Sequence, residues 1–441
     1  MDRAGSAPPR AALTVVALCM VTIMFDGYDL QMFGVIGSSL LAYGPWALTP
    51  PEVGVIGSYA LVGMLIGALV VGVVTDIVGR RRVMLGCIAF FSIFMGACAL
   101  APTPGLLGLF RFLAGLGLGG VVPTAIALTV EFAPVSRRQT YNAVMFCGIA
   151  AGGVLAALLG LVVVPTLGFR AIFWIGTAPL VLVLPLVYFL LPESPRYLMS
   201  VGRVDEAQAI ARRFGQPLPE PTPAAGRRSA GRAVGELFGR GLLASTLLFA
   251  VASFSGLLLA YGLSTWLPTI MQRSGYGLGP SISFLLVLNL GAIVGSISAA
   301  RIADRIGSKP VVAAAFAASA TAILVLSFKP PVIVSFVLVA VAGLGSIGGQ
   351  ILVNGFVATR YPDRIRATAL GWSLGVGRLG AIAGPAVGGL LLGSTLGLNA
   401  NFYAYVAVAV LGCLAILAIP ASRTPAPTEI QPESVQPETA H

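Results

Sequence analysis

Residues 61–100 read LVGMLIGALVVGVVTDIVGRRRVMLGCIAFFSIFMGACAL. Two apolar runs, Leu61–Val74 and Val83–Leu100, flank a short charged turn, and neither alternates polar with apolar residues. Runs of this kind read as helices that cross a bilayer, joined by a turn at its surface. Backbone inside hydrocarbon has to satisfy its own hydrogen bonds, which leaves helical bundles or closed barrels. The missing alternation argues against a barrel. Working outward, the pattern recurs along the chain, as at Ala404–Ile419. Of 441 residues, 57% are hydrophobic and only 10% charged, with a mean hydropathy of +0.93. Soluble domains carry roughly a quarter of their residues as charges, so the whole chain is built for lipid.

Apolar windows and their charged breaks predict an all-α membrane protein with twelve spans: 11–38, 53–75, 83–101, 105–130, 140–164, 172–191, 242–270, 281–300, 310–327, 331–357, 367–392 and 399–420. The first run continues for more than twenty residues through Asp26 and Asp29, so it is read as span 1 and not as a cleaved signal. The formal charge of +11 follows topology: 22 of the 27 Lys and Arg lie at the N-terminus, in the even-numbered connections, in segment 192–241 or in the tail. The positive-inside rule then places both termini and segment 192–241 in the cytoplasm, and no nucleic-acid role is needed to explain the charge. The domain reading is 1–191 for the first six spans, 192–241 for a cytoplasmic linker, 242–420 for the second six and 421–441 for a disordered tail.

A repeat tests this division. Shifting the sequence by 228 positions superposes Asp76 on Asp304, Gly79 on Gly307, Gly115, Gly117 and Gly120 on Gly343, Gly345 and Gly348, Pro134 on Pro362, Arg138 on Arg366, and Gly152 on Gly380. One ungapped offset across four helices implies two pseudo-symmetric six-helix halves of the same handedness.

Catalysis of the common kinds is excluded. All five cysteines lie in apolar runs without metal spacing, and the single histidine is His441, the last residue. No metal or organic cofactor is expected, and the chain is not read as an enzyme. The one Gly-x-Ser-x-Gly string, Gly371 to Gly375, falls inside an apolar span and reads as helix packing.

Several motifs carry a resemblance. Gly72-x-x-x-Asp76-x-x-Gly79-Arg80-Arg81-Arg82 closes span 2, with a partial copy at Asp304 and Gly307; span 4 holds Arg111 and a glycine run and ends in Glu131, followed by Pro134, Arg137 and Arg138; span 6 ends in Pro192-Glu193-Ser194-Pro195-Arg196. Together these resemble the signatures of the major facilitator superfamily. The resemblance implies its fold and a conformational gate built from Gly72, Asp76, Gly79, Arg80, Arg81, Glu131, Arg137, Arg138, Asp304, Gly307 and Arg366. Physically, an acid at a helix end beside a tight turn suits a latch against a helix terminus of the other half; a plain surface turn is the alternative. A narrower set, Asp26-Gly27-Tyr28-Asp29 with Trp266-Leu267-Pro268, Gln350, Asn354, Tyr361-Pro362, Gly371-Trp372 and Gly377-Arg378, is similar to the aromatic acid:proton symporter family. That resemblance implies uptake of benzoate, hydroxybenzoates, gentisate or similar acids.

The buried charges point the same way. Of sixteen acids, only Asp26 and Asp29 fall well inside a span, Asp26 roughly 22 Å deep at 1.5 Å per residue. An i, i+3 carboxylate pair in hydrocarbon suits a proton carrier, and a structural ion pair is the alternative. Arg378 lies roughly 18 Å into span 11, where its fork suits a substrate carboxylate; a fixed pair with an acid across the bundle is the alternative. Arg111 is a partner for Asp26 or Asp29, in a proton path or in a structural role. Tyr261, Trp266, Gln350, Asn354 and Trp372 offer stacking and amide bonding for a hydroxylated ring, with packing as the alternative for each. At the 228 offset none of these buried charges has a charged counterpart: Asp26 meets Phe254, Asp29 Leu257, Arg111 Val339 and Arg378 Ala150. The expectation is a multi-pass inner-membrane symporter, acting as a monomer, that imports an aromatic carboxylate with protons by alternating access. An efflux antiporter, a sugar or other metabolite porter and a non-transporting receptor are the rival readings.

Overall fold

The computed structural model describes residues 9–134, 138–214, 234–239 and 241–420; the tail and much of the expected linker lie outside these ranges. Among the described residues the chain is helical without strands, and twelve helices are long and apolar enough to cross a membrane. They are Ala12–Ala42, Pro50–Val71, Arg80–Leu100, Pro104–Phe132, Val144–Leu167, Phe169–Leu190, Leu243–Arg273, Leu278–Ile306, Ser308–Leu326, Val332–Arg360, Thr368–Leu392 and Asn399–Ala418. All twelve expected spans have a counterpart. Charge does not end a helix, so several run past the apolar windows: span 2 continues to Val78 and span 7 to Arg273. Two spans are interrupted, span 6 between Ile175 and Ala178 and span 10 by a π-helical turn at Leu344–Gly348.

Local chemistry sets the turns. Pro50 and Pro104 occupy first turns, where a missing N–H costs nothing. The Glu52 carboxylate accepts from the Thr49 N–H at 2.8 Å and its hydroxyl at 2.7 Å, closing the start of span 2. Gly79 and Gly307, equivalent in the repeat, turn the chain at φ +100° and +93°; a side chain there would clash with its own backbone.

Packing repeats as well. Span 1 packs on span 5, span 2 on 4 and span 3 on 6, while span 7 packs on 11, span 8 on 10 and span 9 on 12. Gly152 and Gly380 explain one such pair: a Cβ at Gly152 would stand 1.9 Å from the Met24 carbonyl oxygen, and one at Gly380 would stand 2.1 Å from that of Phe254. Backbones this close are the usual glue of apolar helices, which gain nothing from hydrophobic burial against one another in lipid.

The first and second six spans meet through spans 1 and 7, 2 and 11, and 5 and 8. The span 2–11 contact is uneven along its length. Residues 371, 375, 378, 382, 385 and 389 form one face of span 11, spaced three and four apart. At the Pro50 end this face lies on span 2: a Cβ at Gly54 would stand 2.5 Å from the Pro385 carbonyl oxygen, and the Ser58 hydroxyl donates to the Ile382 carbonyl at 2.7 Å. At the opposite end Gly371 and Gly375 are exposed, with nothing among the described residues within 4 Å of where a Cβ would point. Spans 1 and 7 also close at the Pro50 end, where a Cβ on Gly34 would overlap the Ser264 carbonyl oxygen. The two sets of helices are thus sealed at the Pro50 end, while the same face of span 11 is exposed at Gly371 and Gly375 towards the end where the linker leaves, with Arg378 between the two stretches.

Candidate transport site

Two acids from span 1 and two arginines form the centre. Asp26 and Asp29 are 1% and 0% exposed, and Arg111 of span 4 is 2% exposed. The Arg111 Nη1 donates to Asp29 Oδ1 in a buried ion pair, and its guanidinium lies over the Phe33 ring at 5.4 Å. The i, i+3 spacing therefore does not give the two acids one environment. Asp29 has a cation from its own half, whereas Asp26 makes no ion pair within 4 Å among the described residues, and its Oδ1 is buried without a hydrogen-bond partner. Asp26 instead feels Arg378 electrostatically across the boundary between the halves, with Asp29 beyond.

Arg378 is half-buried, and its Nη1 is enclosed without a hydrogen-bond partner. Tyr261 of span 7 lies in side-chain contact with it. Beside them runs a chain of small polar groups: Ser373 Oγ lies 2.6 Å from Ser253 Oγ, and Gln350 Nε2 donates to Ser253 Oγ at 3.3 Å and to Asn354 Oδ1 at 2.9 Å. Gln350 Oε1 is buried with no partner. The backbone ties this chain to Arg378, because a Cβ at neighbouring Gly377 would stand 3.2 Å from the Ser253 carbonyl oxygen. An arginine fork with an unmet N–H, a phenol and an amide suit a planar acid bearing polar substituents.

Two expected aromatic contacts are not brought here. Trp266 is fully buried, its indole N–H donates to the Pro385 carbonyl at 2.7 Å, and its ring packs over Gly388 and Gly389. Its bulk and donor are used to seal spans 7 and 11. Trp372 sits towards the linker end of span 11, edge-on to Phe238 at 5.0 Å and 36% exposed. Its ring is occupied by the segment that leads into span 7.

The gate residues divide. Arg80 pairs with Glu131, the Arg81 backbone N–H donates to Glu193 Oε1 at 2.9 Å, and the Arg81 guanidinium donates to the Tyr188 carbonyl. These bonds tie the ends of spans 3, 4 and 6 together, so in this arrangement Arg80, Arg81 and Glu131 are held within the first half. Gly79 and Gly307 are the turns described above, and Asp304 is exposed at the end of span 8. Arg366 lies in the first turns of the span 11 helix. Arg137 and the side chains of Gly72, Asp76 and Arg138, all expected in the gate, lie outside the described residues.

Residues missed at the sequence level join the halves directly. Gln31 Nε2 donates to Asn289 Oδ1 at 3.1 Å, both side chains buried, with Gly153 of span 5 against them. An amide in each of spans 1 and 8 was the available signal, since intramembrane amides seek partners.

A profile of the Major Facilitator Superfamily matches residues 19–300 and 281–439. The chain belongs to that superfamily. Among curated relatives, the gentisate transporter of Corynebacterium glutamicum is 39% identical, over 92% of this chain and 86% of its own length. The benzoate transport protein of Acinetobacter baylyi is 37% identical, over 96% and 93%. A 4-hydroxybenzoate transporter of the same organism is 31% identical, over 86% and 85%. Membership of the aromatic acid:proton symporter family, expected from Asp26 to Asp29 and Gly377-Arg378, therefore stands. Among solved structures, a D-xylose-proton symporter superposes with a TM-score of 0.74 at 18% identity, covering 92% of this chain and 97% of that one. The Escherichia coli xylose transporter in a partially occluded inward-open form superposes at 0.71 and 19%, covering 93% and 100%. These two establish the fold alone.

Proposed function

We propose that this protein carries an aromatic carboxylate, of the benzoate, hydroxybenzoate or gentisate kind, into the cell together with protons, across the inner membrane and by alternating access. The observation that carries the reading is Arg378: a half-buried guanidinium on the face of span 11 that is exposed towards the linker end, with an enclosed N–H unmet among the described residues and Asp26 near enough to interact with it electrostatically. A substrate carboxylate supplies that acceptor, and Tyr261, Gln350 and Asn354 lie beside its ring.

Coupling follows from electrostatics. With Asp26 charged and Arg378 empty, the two attract across the halves. A substrate carboxylate on Arg378 stands against Asp26 as a second anion, and protonation of Asp26 removes the repulsion. The carrier therefore changes conformation with both proton and anion aboard or with neither. A monoanion with one proton moves no net charge, and each further proton adds about 2.3 kcal/mol per 100 mV of membrane potential. By the positive-inside rule the linker end faces the cytoplasm, which makes the present arrangement inward-facing. Relatives named for gentisate, benzoate and 4-hydroxybenzoate support the substrate class.

Equilibrium binding of labelled benzoate, 4-hydroxybenzoate and gentisate to the purified protein tests the reading. Wild type binds at least one of them, and Arg378→Ala binds none. Equal binding by wild type and a folded Arg378→Ala removes the arginine from substrate recognition.

A further inference from the structure

At the linker end of the first half, away from Arg378, a cavity of about 330 Å³ is lined by Arg81, Arg82, Arg203 and Arg213 with Glu193 and Glu206, among others. One wall is the turn between spans 2 and 3; the other is the linker helix Val204–Phe214. That helix docks by an apolar face, with Ala207, Ala211 and Phe214 buried and Phe214 packed on Phe132 at 4.7 Å. The cleft is therefore a fixed feature of the first half.

Its charge is lopsided. Arg203 is neutralised by Glu206 at 2.5 Å. Arg82 and Arg213 make no ion pair within 4 Å among the described residues. The Arg81 guanidinium is held by a carbonyl and by the Tyr188 ring at 5.4 Å and makes no ion pair within 4 Å among the described residues, while Glu193 accepts from the Arg81 backbone N–H; among the described residues its Nε is buried without a partner. Four arginines thus line a cleft that holds two carboxylates, Glu193 and Glu206, and the Arg81, Arg82 and Arg213 guanidiniums make no ion pair within 4 Å among the described residues; forks of this kind match phosphate oxygens.

The surroundings give the source of the phosphate. Pro192 and Glu193 of the cleft come one residue, the buried Leu191, after Tyr188, Phe189 and Leu190, which are 56%, 78% and 51% exposed. Exposed aromatic and apolar side chains at the end of a span lie at headgroup depth. A ligand seated on the arginines thus has an apolar surface beneath it. We infer that the cleft holds the phosphate headgroup of an anionic phospholipid, with the acyl chains lying along the end of span 6. The lipid then bridges the linker helix and the span 2–3 turn. A basic cleft on the cytoplasmic face meets the anionic leaflet, which attracts each nearby arginine by about a fivefold gain in binding.

Native mass spectrometry of the purified protein with phosphatidylglycerol and phosphatidylcholine tests this. Wild type is compared with Arg82→Gln/Arg213→Gln and with Arg301→Gln/Arg305→Gln, an equal charge loss on exposed residues near the end of span 8. Far-UV circular dichroism and monodispersity confirm that all three are folded. Wild type and the span 8 variant retain phosphatidylglycerol in preference to phosphatidylcholine, and the cleft variant binds it at least about tenfold more weakly, the loss of one or more charged hydrogen bonds to the phosphate. Equal losses in both variants, or no headgroup preference in wild type, overturn the site. Hydrogen exchange over 195–214 separates the sources: phosphatidylglycerol protects the linker helix and millimolar inorganic phosphate does not. Equal protection by inorganic phosphate overturns the lipid assignment.

Discussion

Replacing Asp29 by Asn leaves the Arg111 guanidinium, only 2% exposed, in the core of the first half without its carboxylate. Replacing Arg111 by Gln strands the carboxylate instead. Breaking one side of a buried ion pair costs about 3–5 kcal/mol, most of it the penalty of an uncompensated charge. Each single variant is therefore destabilised by about 3 kcal/mol. The double variant Asp29→Asn/Arg111→Gln leaves two neutral amides in place of the pair and is destabilised no more than either single. The departure from additivity is about 3 kcal/mol, at the upper end for residues in contact. Unfolding in mixed micelles with increasing dodecyl sulfate, followed by circular dichroism and tryptophan fluorescence, measures all four corners of the cycle. Losses that add to within about 0.5 kcal/mol refute the pairing of these side chains.

Further outcomes follow from the same geometry. Arg378→Lys keeps the charge but loses the fork, and substrate affinity falls roughly ten- to a hundredfold, the loss of one charged hydrogen bond of about 1.5–3 kcal/mol; unchanged affinity by equilibrium binding contradicts a two-point contact. Asp26→Asn abolishes accumulation driven by a proton gradient while substrate exchange across vesicles persists; proton-driven accumulation by this variant excludes Asp26 as the carrier. Gln31→Leu removes the hydrogen bond to Asn289, worth about 0.6 kcal/mol in a membrane interior, and shifts the population away from the state closed at the Pro50 end; spin-label distances across spans 1 and 8 check the direction. Gly54→Val places a side chain where a Cβ already stands 2.5 Å from the Pro385 carbonyl oxygen, so distances between spans 2 and 11 lengthen at that end; an unchanged distance distribution contradicts the seal.

Most of the fold was legible because lipid leaves few choices. Apolar run length gave the spans, and the 228-residue offset gave the equivalences Gly79 with Gly307 and Gly152 with Gly380, whose shared cause is turn geometry and close backbone approach. The buried charges were legible for the same reason: a carboxylate or guanidinium inside a span has few explanations. Partner choice was not. Both acids lay within reach of Arg111 by depth along the helix, and only packing of the folded helices separates Asp29, which takes the cation, from Asp26, which makes no ion pair within 4 Å among the described residues. The aromatic residues were the least legible. Trp266 and Trp372 have the composition of a ring-binding wall, yet one is spent on the Pro385 carbonyl and the other on Phe238. The Arg80–Glu131 pair within one half shows a similar limit, since a motif at a helix end does not name the helix it will touch.

The central claim is that Arg378 and Asp26 together couple an aromatic carboxylate to protons. Uptake of labelled benzoate, 4-hydroxybenzoate and gentisate into proteoliposomes, with and without an inward proton gradient, tests it most directly. The account predicts accumulation of at least one acid above equilibrium only with the gradient, lost in both Arg378→Ala and Asp26→Asn. Accumulation indifferent to the gradient, or retained in both variants, contradicts it.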